Sequence, residues 1–177
     1  HLGVCNFTVE QLRKLAERYP DATPEVNQVE LHPYLAQPEL AAYCRQHGIA
    51  LMAYSPLGSA DSYSGQSFPA KGAGTHETPR GGATLLQNEV VGEIARRLGR
   101  TPAQVLLRWS LQSGFVPLPK SVNEERIRAN ADVVSWELTA DDMAAMAELD
   151  CGFRYSIGYR TGHYDVSQPT SRRPARP

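Results

Sequence analysis

Lys120, Ser121 and Arg126 place two cations and a hydroxyl in one short stretch of sequence, around the start of a helix-like run near Asn123. Two cations, a hydroxyl and a helix N-terminus make a receptor for a dianion. Taken alone, Lys120 and Arg126 read as a solvated pair, since exposed cations are common. Two amides and an aromatic, Asn6, Gln28 and Tyr54, stand at the ends of strand-like runs, as does Lys120. In a parallel (β/α) fold of the barrel type the chemistry sits at those carboxyl ends. Without further context Tyr54 is as good a core aromatic as a ligand contact.

Other chemistries find little support. The histidines, His1, His32, His47, His76 and His163, are scattered and include no His-x-x-x-His pair. The 3 cysteines, Cys5, Cys44 and Cys151, are widely spaced without a Cys-x-x-Cys. Neither a metal site nor a disulfide framework is expected, and a reducing cytoplasmic setting is the default. Lys+Arg of 18 against Asp+Glu of 19 gives a formal net charge of −1 over 177 residues. That balance argues against a nucleic-acid-coating surface or a polybasic membrane anchor. No apolar run reaches the ~20 residues of a membrane span. The start, His1-Leu2-Gly3-Val4, has no signal-peptide character and no initiator Met, and is expected to lie inside a longer chain.

The elements that must position these residues alternate. Gly3-Val4-Cys5 is a short apolar start, and Thr8 with Gln11 forms a capping box for a helix carrying Val9, Leu12, Ala16 and Tyr19, which Pro20 ends. Val26 to Glu30 reads as a strand. Pro38 opens a helix with Leu40, Ala41 and Cys44 on its apolar stripe, stopped at Gly48. Ile49 to Tyr54 is a continuous apolar run, as expected of a parallel strand covered on both faces. A Gly- and Pro-punctuated loop follows from Ser59 to about Leu86. Helical spacing resumes at Val90, Val91, Ile94, Ala95 and Leu98, with Gly99 as the stop. Thr101-Pro102-Ala103-Gln104 caps the next helix, whose buried face carries Val105, Leu106 and Trp109; Trp136 is also assigned to packing. Phe115 to Pro119 is the last strand candidate, with Pro117 awkwardly inside it. A short helix is expected over Asn123 to Asn130, and Thr139 to Asp142 caps a final helix with Met143, Met146 and Leu149.

This order is that of a parallel α/β fold. Four βα units occupy the first ~150 residues, so eight would need roughly 300, against the ~250 of a typical closed barrel. The expected fold is therefore a (β/α)8 TIM barrel, of which this chain supplies the C-terminal half. A doubly wound sheet would show Gly-x-Gly-x-x-Gly after its first strand, and none occurs.

Four strand ends, read in order, carry a resemblance. They are Gly3-Val4-Cys5-Asn6-Phe7, Asn27 to Tyr34, Ala53-Tyr54-Ser55-Pro56-Leu57-Gly58-Ser59, and Pro119-Lys120-Ser121-Val122-Asn123-Glu124-Glu125-Arg126 continuing to Asn130. In this order and spacing the chain, from residue 1 to about 154, closely resembles the C-terminal half of the aldo-keto reductases, NADPH-dependent (β/α)8 oxidoreductases. The resemblance implies that Asn6 and Gln28 hold the nicotinamide carboxamide. Cys5 takes a place usually held by Ser, and a thiol is the weaker hydrogen-bonding group. It implies that Tyr54 stacks on the nicotinamide, and that Ser55, Leu57, Ser59 and Asp61 line the pyrophosphate, with the loop beyond Ser59 as a clasp. Lys120, Ser121, Val122, Asn123 and Arg126 match the pocket for the adenosine 2′-phosphate, so NADPH is preferred to NADH. Asn130 matches an adenine contact, and Ala129 departs from the acidic residue often beside it.

The same resemblance implies reduction of small aldehydes or ketones to alcohols. The Asp, Tyr, Lys and His of the family's catalytic tetrad belong to the N-terminal half of the barrel and match no position here. The 177-residue chain alone is thus expected to be inactive. The alternative is a non-catalytic NADPH-binding or scaffold protein of the same fold. A full-length monomer is implied, while a half-barrel with two free strand edges is prone to self-association. Cys5 reads as a packed pocket residue rather than a reactive thiol, and His32 as structural. Residues 155–177 form a C-terminal loop and tail, partly disordered, in which Tyr155, Tyr159, His163 and Tyr164 either line a substrate pocket or lie on the surface.

Overall fold

A computed structural model describes residues 1–58 and 84–155 of the chain. Four strands, β1 (Gly3–Cys5), β2 (Val26–Glu30), β3 (Ala50–Tyr54) and β4 (Val116–Pro117), form one sheet in the order β1-β2-β3-β4. All three pairings are parallel. Each strand pairs with the next in sequence, so the order never reverses as it does at the crevice of a doubly wound sheet. The described residues leave the sheet open, with β1 and β4 as its edges.

The helices between the strands are α1 (Val9–Arg18), α2 (Pro38–Gln46), α3 (Glu89–Leu98), α4 (Pro102–Gln112), α5 (Glu124–Ala131) and α6 (Ala140–Ala147). Local chemistry explains their starts. Thr8, Thr101 and Thr139 each accept from the backbone N–H three residues on, and Gln11, Gln104 and Asp142 reciprocate in full capping boxes. Asn88 caps α3, a start that the apolar spacing alone did not reveal, and Gly99 ends it with φ 62°. The capping-box helices and the α2 start at Pro38 therefore agree with the sequence expectation.

Three expectations change. β4 is only two residues long, because Pro117 has no N–H to give to a ladder; the chain rejoins β3 through Leu118, whose N–H donates to Ala53 O at 3.0 Å. Among the described residues, helices cover β3 on one face only. Leu51 and Ala53 are buried with Asn27 and Val29 under the helices, while Met52 and Tyr54 on the other face are half-buried and Ala50 is exposed. The apolar run therefore marks a sheet whose second face is not packed by any described helix. The loop expected to extend to about Leu86 ends sooner: Leu85 is fully buried and opens a 3₁₀ turn, Leu85–Gln87.

The core lies between the sheet and α2, α3 and α4. Leu12, Val29, Leu31, Leu51, Val91, Leu106, Trp109 and Met146 are its centre. Each such side chain contributes roughly 1.5–3 kcal/mol by burial. Trp109 packs edge-on against Phe115, and Trp136 lies half-buried under the Arg100 guanidinium. The segment after α6 is part of this core, since Phe153 and Tyr155 are both buried.

Candidate cofactor site at the strand ends

The carboxyl ends of β1, β2 and β3 bring together most of the first group of residues that the sequence singled out. Register places Cys5 beside Gln28, Gln28 beside Met52, and Glu30 beside Tyr54. Asn6 follows β1 in the left-handed region, φ 59°, and its N–H donates to Gln28 O at 2.8 Å. The Tyr54 hydroxyl donates to Asn6 Oδ1 at 3.1 Å. Asn27, buried under the sheet, fixes the turn after Asn6 by accepting from Phe7 N at 3.3 Å and donating to Phe7 O at 2.9 Å. Ser55 is a second non-glycine residue at positive φ, 51°, and the turn it begins is closed by Gly58 N donating to Ser55 O at 2.9 Å. Backbone strain of this kind concentrates at ligand sites. Leu57 lies in that turn, half-buried against the core. Ser59 and Asp61 lie outside the described residues.

Cys5 stands at the end of β1. It is exposed, because β1 is an edge strand and no described element packs over that face. Partial burial nonetheless pushes its thiol up, so it stays protonated and a poor nucleophile.

The second group surrounds α5. β4 pairs beside β3, with Ala53 opposite Pro117, so the segment leading to Lys120 starts next to the end that carries Tyr54. Ser121 Oγ accepts from Asn123 N at 3.1 Å, and Asn123 Oδ1 accepts from Arg126 N at 3.0 Å, which sets the first turn of α5. Lys120, Val122, Asn123 and Arg126 are exposed and Asn130 is half-buried. Neither Lys120 nor Arg126 forms an ion pair among the described residues. The acidic Glu124 in the same turn is paired with Arg128 at 2.5 Å. Both cations are exposed, as is Glu125, the second carboxylate of that first turn.

Two features went unseen in the sequence. Glu30 is fully buried with His32: His32 Nε2 lies 3.1 Å from Glu30 Oε1, and burial is the main cause that lowers the His32 pKa. The neutral ring donates from Nε2, and Nδ1 has no hydrogen-bond partner among the described residues. The structural reading of His32 holds. Tyr155 is the second: it is neither tail surface nor open pocket lining but core. Its N–H donates to Glu30 Oε1 at 2.6 Å, and its hydroxyl accepts from Leu85 N at 3.2 Å. The apolar alternation Phe153, Tyr155 was the available signal. Tyr159, His163 and Tyr164 lie outside the described residues.

No group of three or more His, Cys, Asp or Glu among the described residues is arranged to hold a metal ion. No helix there is long and apolar enough to cross a membrane.

A sequential parallel βα sheet, with two amides and an aromatic at its strand ends and helices between its strands, defines a parallel α/β protein. The sequence model of the aldo/keto reductase family matches residues 1–150, and the chain belongs to that family. It is 40% identical over 160 residues to a probable NAD(P)H-dependent D-xylose reductase of Aspergillus terreus, covering 89% of this chain and 47% of the relative. It is 42% identical over 159 residues to morphine 6-dehydrogenase of Pseudomonas putida, covering 86% of this chain and 48% of the relative. Among solved structures, an aldo-keto reductase from a deep-sea metagenome library superposes with a TM-score of 0.74 at 32% identity, over 92% of this chain and 52% of that one. The chain spans about half the length of the curated relatives it matches.

Proposed function

We propose that this chain is the cofactor-side half of an NADPH-dependent aldo-keto reductase that converts aldehydes or ketones to alcohols. The open sheet is then the C-terminal half of a (β/α)8 barrel, residues 1–154, followed by a C-terminal loop. The observation that carries the reading is the joined cluster Asn6–Gln28–Tyr54 at adjacent strand ends, beside the unpaired cations of the α5 start. The Tyr54 hydroxyl engages the acceptor of the Asn6 amide and leaves its N–H groups for a carboxamide oxygen. The Gln28 amide forms no side-chain hydrogen bond with other described residues, and so has both donor and acceptor to offer. These groups fit a nicotinamide carboxamide, with the Tyr54 ring as its stacking surface.

Bound there, the reduced nicotinamide would supply a hydride to a carbonyl carbon. The chain's own residues orient and hold. Ser55 and Leu57, with Ser59 and Asp61, would line the pyrophosphate. Lys120, Ser121, Val122, Asn123 and Arg126 would receive the 2′-phosphate, and Asn130 the adenine. The names of the relatives, NAD(P)H-dependent reductases among them, support this cofactor. The proton that completes the alcohol would come from the family's catalytic tetrad, in a preceding half of the barrel. The substrate is a small carbonyl compound, and the 3 free cysteines support a reducing, cytoplasmic setting.

A second reading is a non-catalytic NADPH-binding protein of the same fold. It uses the same strand-end residues, Asn6, Gln28 and Tyr54, to bind the cofactor and asks for no proton donor beside them. Titration of the complete polypeptide with NADPH, followed by Trp109 and Trp136 fluorescence beside an aldehyde-reduction assay, separates the two. Quenching with turnover supports the reductase. Quenching without turnover supports the binding protein, and neither signal defeats both.

A further inference from the structure

The two ends of the segment 59–83 meet the same side chain. Gly58 precedes it, and a Cβ on Gly58 would lie 2.9 Å from Tyr155 Cζ and 3.1 Å from its hydroxyl, so the ring is seated against the bare glycine. Gly58 also has φ 76°, which a side chain would strain. Leu85 follows the segment, and its N–H is held by the Tyr155 hydroxyl at 3.2 Å. The tyrosine is itself registered to the sheet. Its N–H is fixed on the buried Glu30 carboxylate at 2.6 Å, and its ring meets His32 and Phe153 edge-on, each at 5.1 Å. The preceding residues are tied to the β2–α2 connection, with Cys151 N and Phe153 N both donating to Tyr34 O. Glu30 in turn is the register partner of Tyr54, the residue before Ser55. A single rigid side chain thus sets the distance between the Ser55–Gly58 turn, the Leu85 turn and the end of β2.

We propose that Tyr155 is a positioning residue for cofactor binding, holding the Ser55–Gly58 turn in the strained form that presents it to the pyrophosphate. The proposal rests on the reading of the strand ends as an NADPH site. It assigns to the C-terminal segment a role in cofactor affinity. The pyrophosphate is common to NADPH and NADH, so loss of this support weakens both alike, whereas loss of a 2′-phosphate contact does not.

The test uses Tyr155→Phe in the complete polypeptide. This variant keeps the ring against Gly58 and His32 and removes the acceptor for Leu85 N–H. Amide hydrogen exchange is followed at Leu85 and, as a core control, at Val29 and Leu106; NADPH and NADH affinities are measured by fluorescence. The expected result is exchange at Leu85 faster by at least about tenfold with the control amides unchanged, together with a rise of about three- to tenfold in both dissociation constants. Gly58→Ala, which pushes on the ring from the other side, should reproduce the equal loss. Unchanged exchange at Leu85, acceleration shared by the whole core, or a loss confined to NADPH overturns the proposal. If the unmodified protein binds neither cofactor, the reading of the site fails and this proposal with it. Intact binding with unchanged exchange defeats the role of Tyr155 alone.

Discussion

The Tyr54 hydroxyl reaches across β2 to Asn6 Oδ1 at 3.1 Å, so the end of β3 sets the side-chain amide at the end of β1. Asn6 needs that support, because its backbone sits at φ 59° just past β1, which among the described residues is an edge of the sheet. Tyr54→Phe keeps the ring and removes the bond. The expected cost is about 1 kcal/mol of stability and, through a mobile Asn6, about fivefold in affinity for both NADPH and NADH. Denaturant midpoints and cofactor titration measure the two effects. A variant that matches the parent in both would show that Asn6 is held by its backbone alone.

Arg126 presents its guanidinium to solvent from the first turns of α5, while its own N–H is taken by Asn123 Oδ1. The head group is not engaged in an ion pair among the described residues, so truncation leaves the fold almost untouched. Arg126→Ala should weaken NADPH by about 2 kcal/mol, roughly 30-fold, the worth of a charge-assisted bond to phosphate, and leave NADH within about twofold. The ratio of the two dissociation constants is the measurement. Equal losses would remove Arg126 from the 2′-phosphate pocket.

The helices that begin at Thr8, Thr101 and Thr139 were legible because capping boxes are local: a hydroxyl and an amide or carboxylate three residues on need nothing else. Gly99 and Pro38 were legible for the same reason. The pairing of Asn6, Gln28 and Tyr54 was legible only as a likeness in order and spacing, since their meeting depends on sheet register between residues 48 apart in the chain. The buried Glu30–His32 pair and the pin formed by Tyr155 were not legible. Glu30 in sequence is a charged residue at a strand end, which normally signals solvent, and its burial is created by a backbone N–H 125 residues away. The exposure of Cys5 was not legible either, since it depends on which elements pack over β1.

Thr139 caps α6 against Asp142, whose carboxylate also pairs with Arg97 of α3. Burial works against the Asp142 carboxylate, yet its bonds from Arg97 and Thr139 outweigh that and hold it below the usual range. Thr139→Ala removes the cap to the Asp142 N–H and should cost about 1 kcal/mol, a fall of about 2–4 °C in the melting temperature. Cofactor affinity should not change, because α6 packs on α3, away from the strand ends. A scanning calorimetry midpoint equal to that of the parent would show that Arg97 alone orders the start of α6.

His32 makes stability depend on pH in a definite direction. Its ring is buried between Glu30 of β2 and the Tyr155 ring, with Arg154 and Asp150 of the C-terminal segment among the charges acting on it. Desolvation pushes its pKa below 6.5, the attraction of Glu30 opposes that in part, and a proton on Nδ1 would be a buried donor with nothing described to receive it. The unfolded chain accepts a proton near its ordinary pKa while the folded chain refuses it. Between those two pKa values the unfolded state binds more protons, so stability falls as pH drops from about 7 through 6 and below, by at most about 1.4 kcal/mol per pH unit for this one group. His32→Gln keeps a donor toward Glu30 and has no proton to gain. Urea midpoints of the parent should therefore fall faster on acidification than those of the variant, with the remaining histidines contributing equally to both. Parallel curves would mean that His32 titrates in the folded protein as it does in the unfolded chain, and that the Glu30 carboxylate accepts the charged ring without cost.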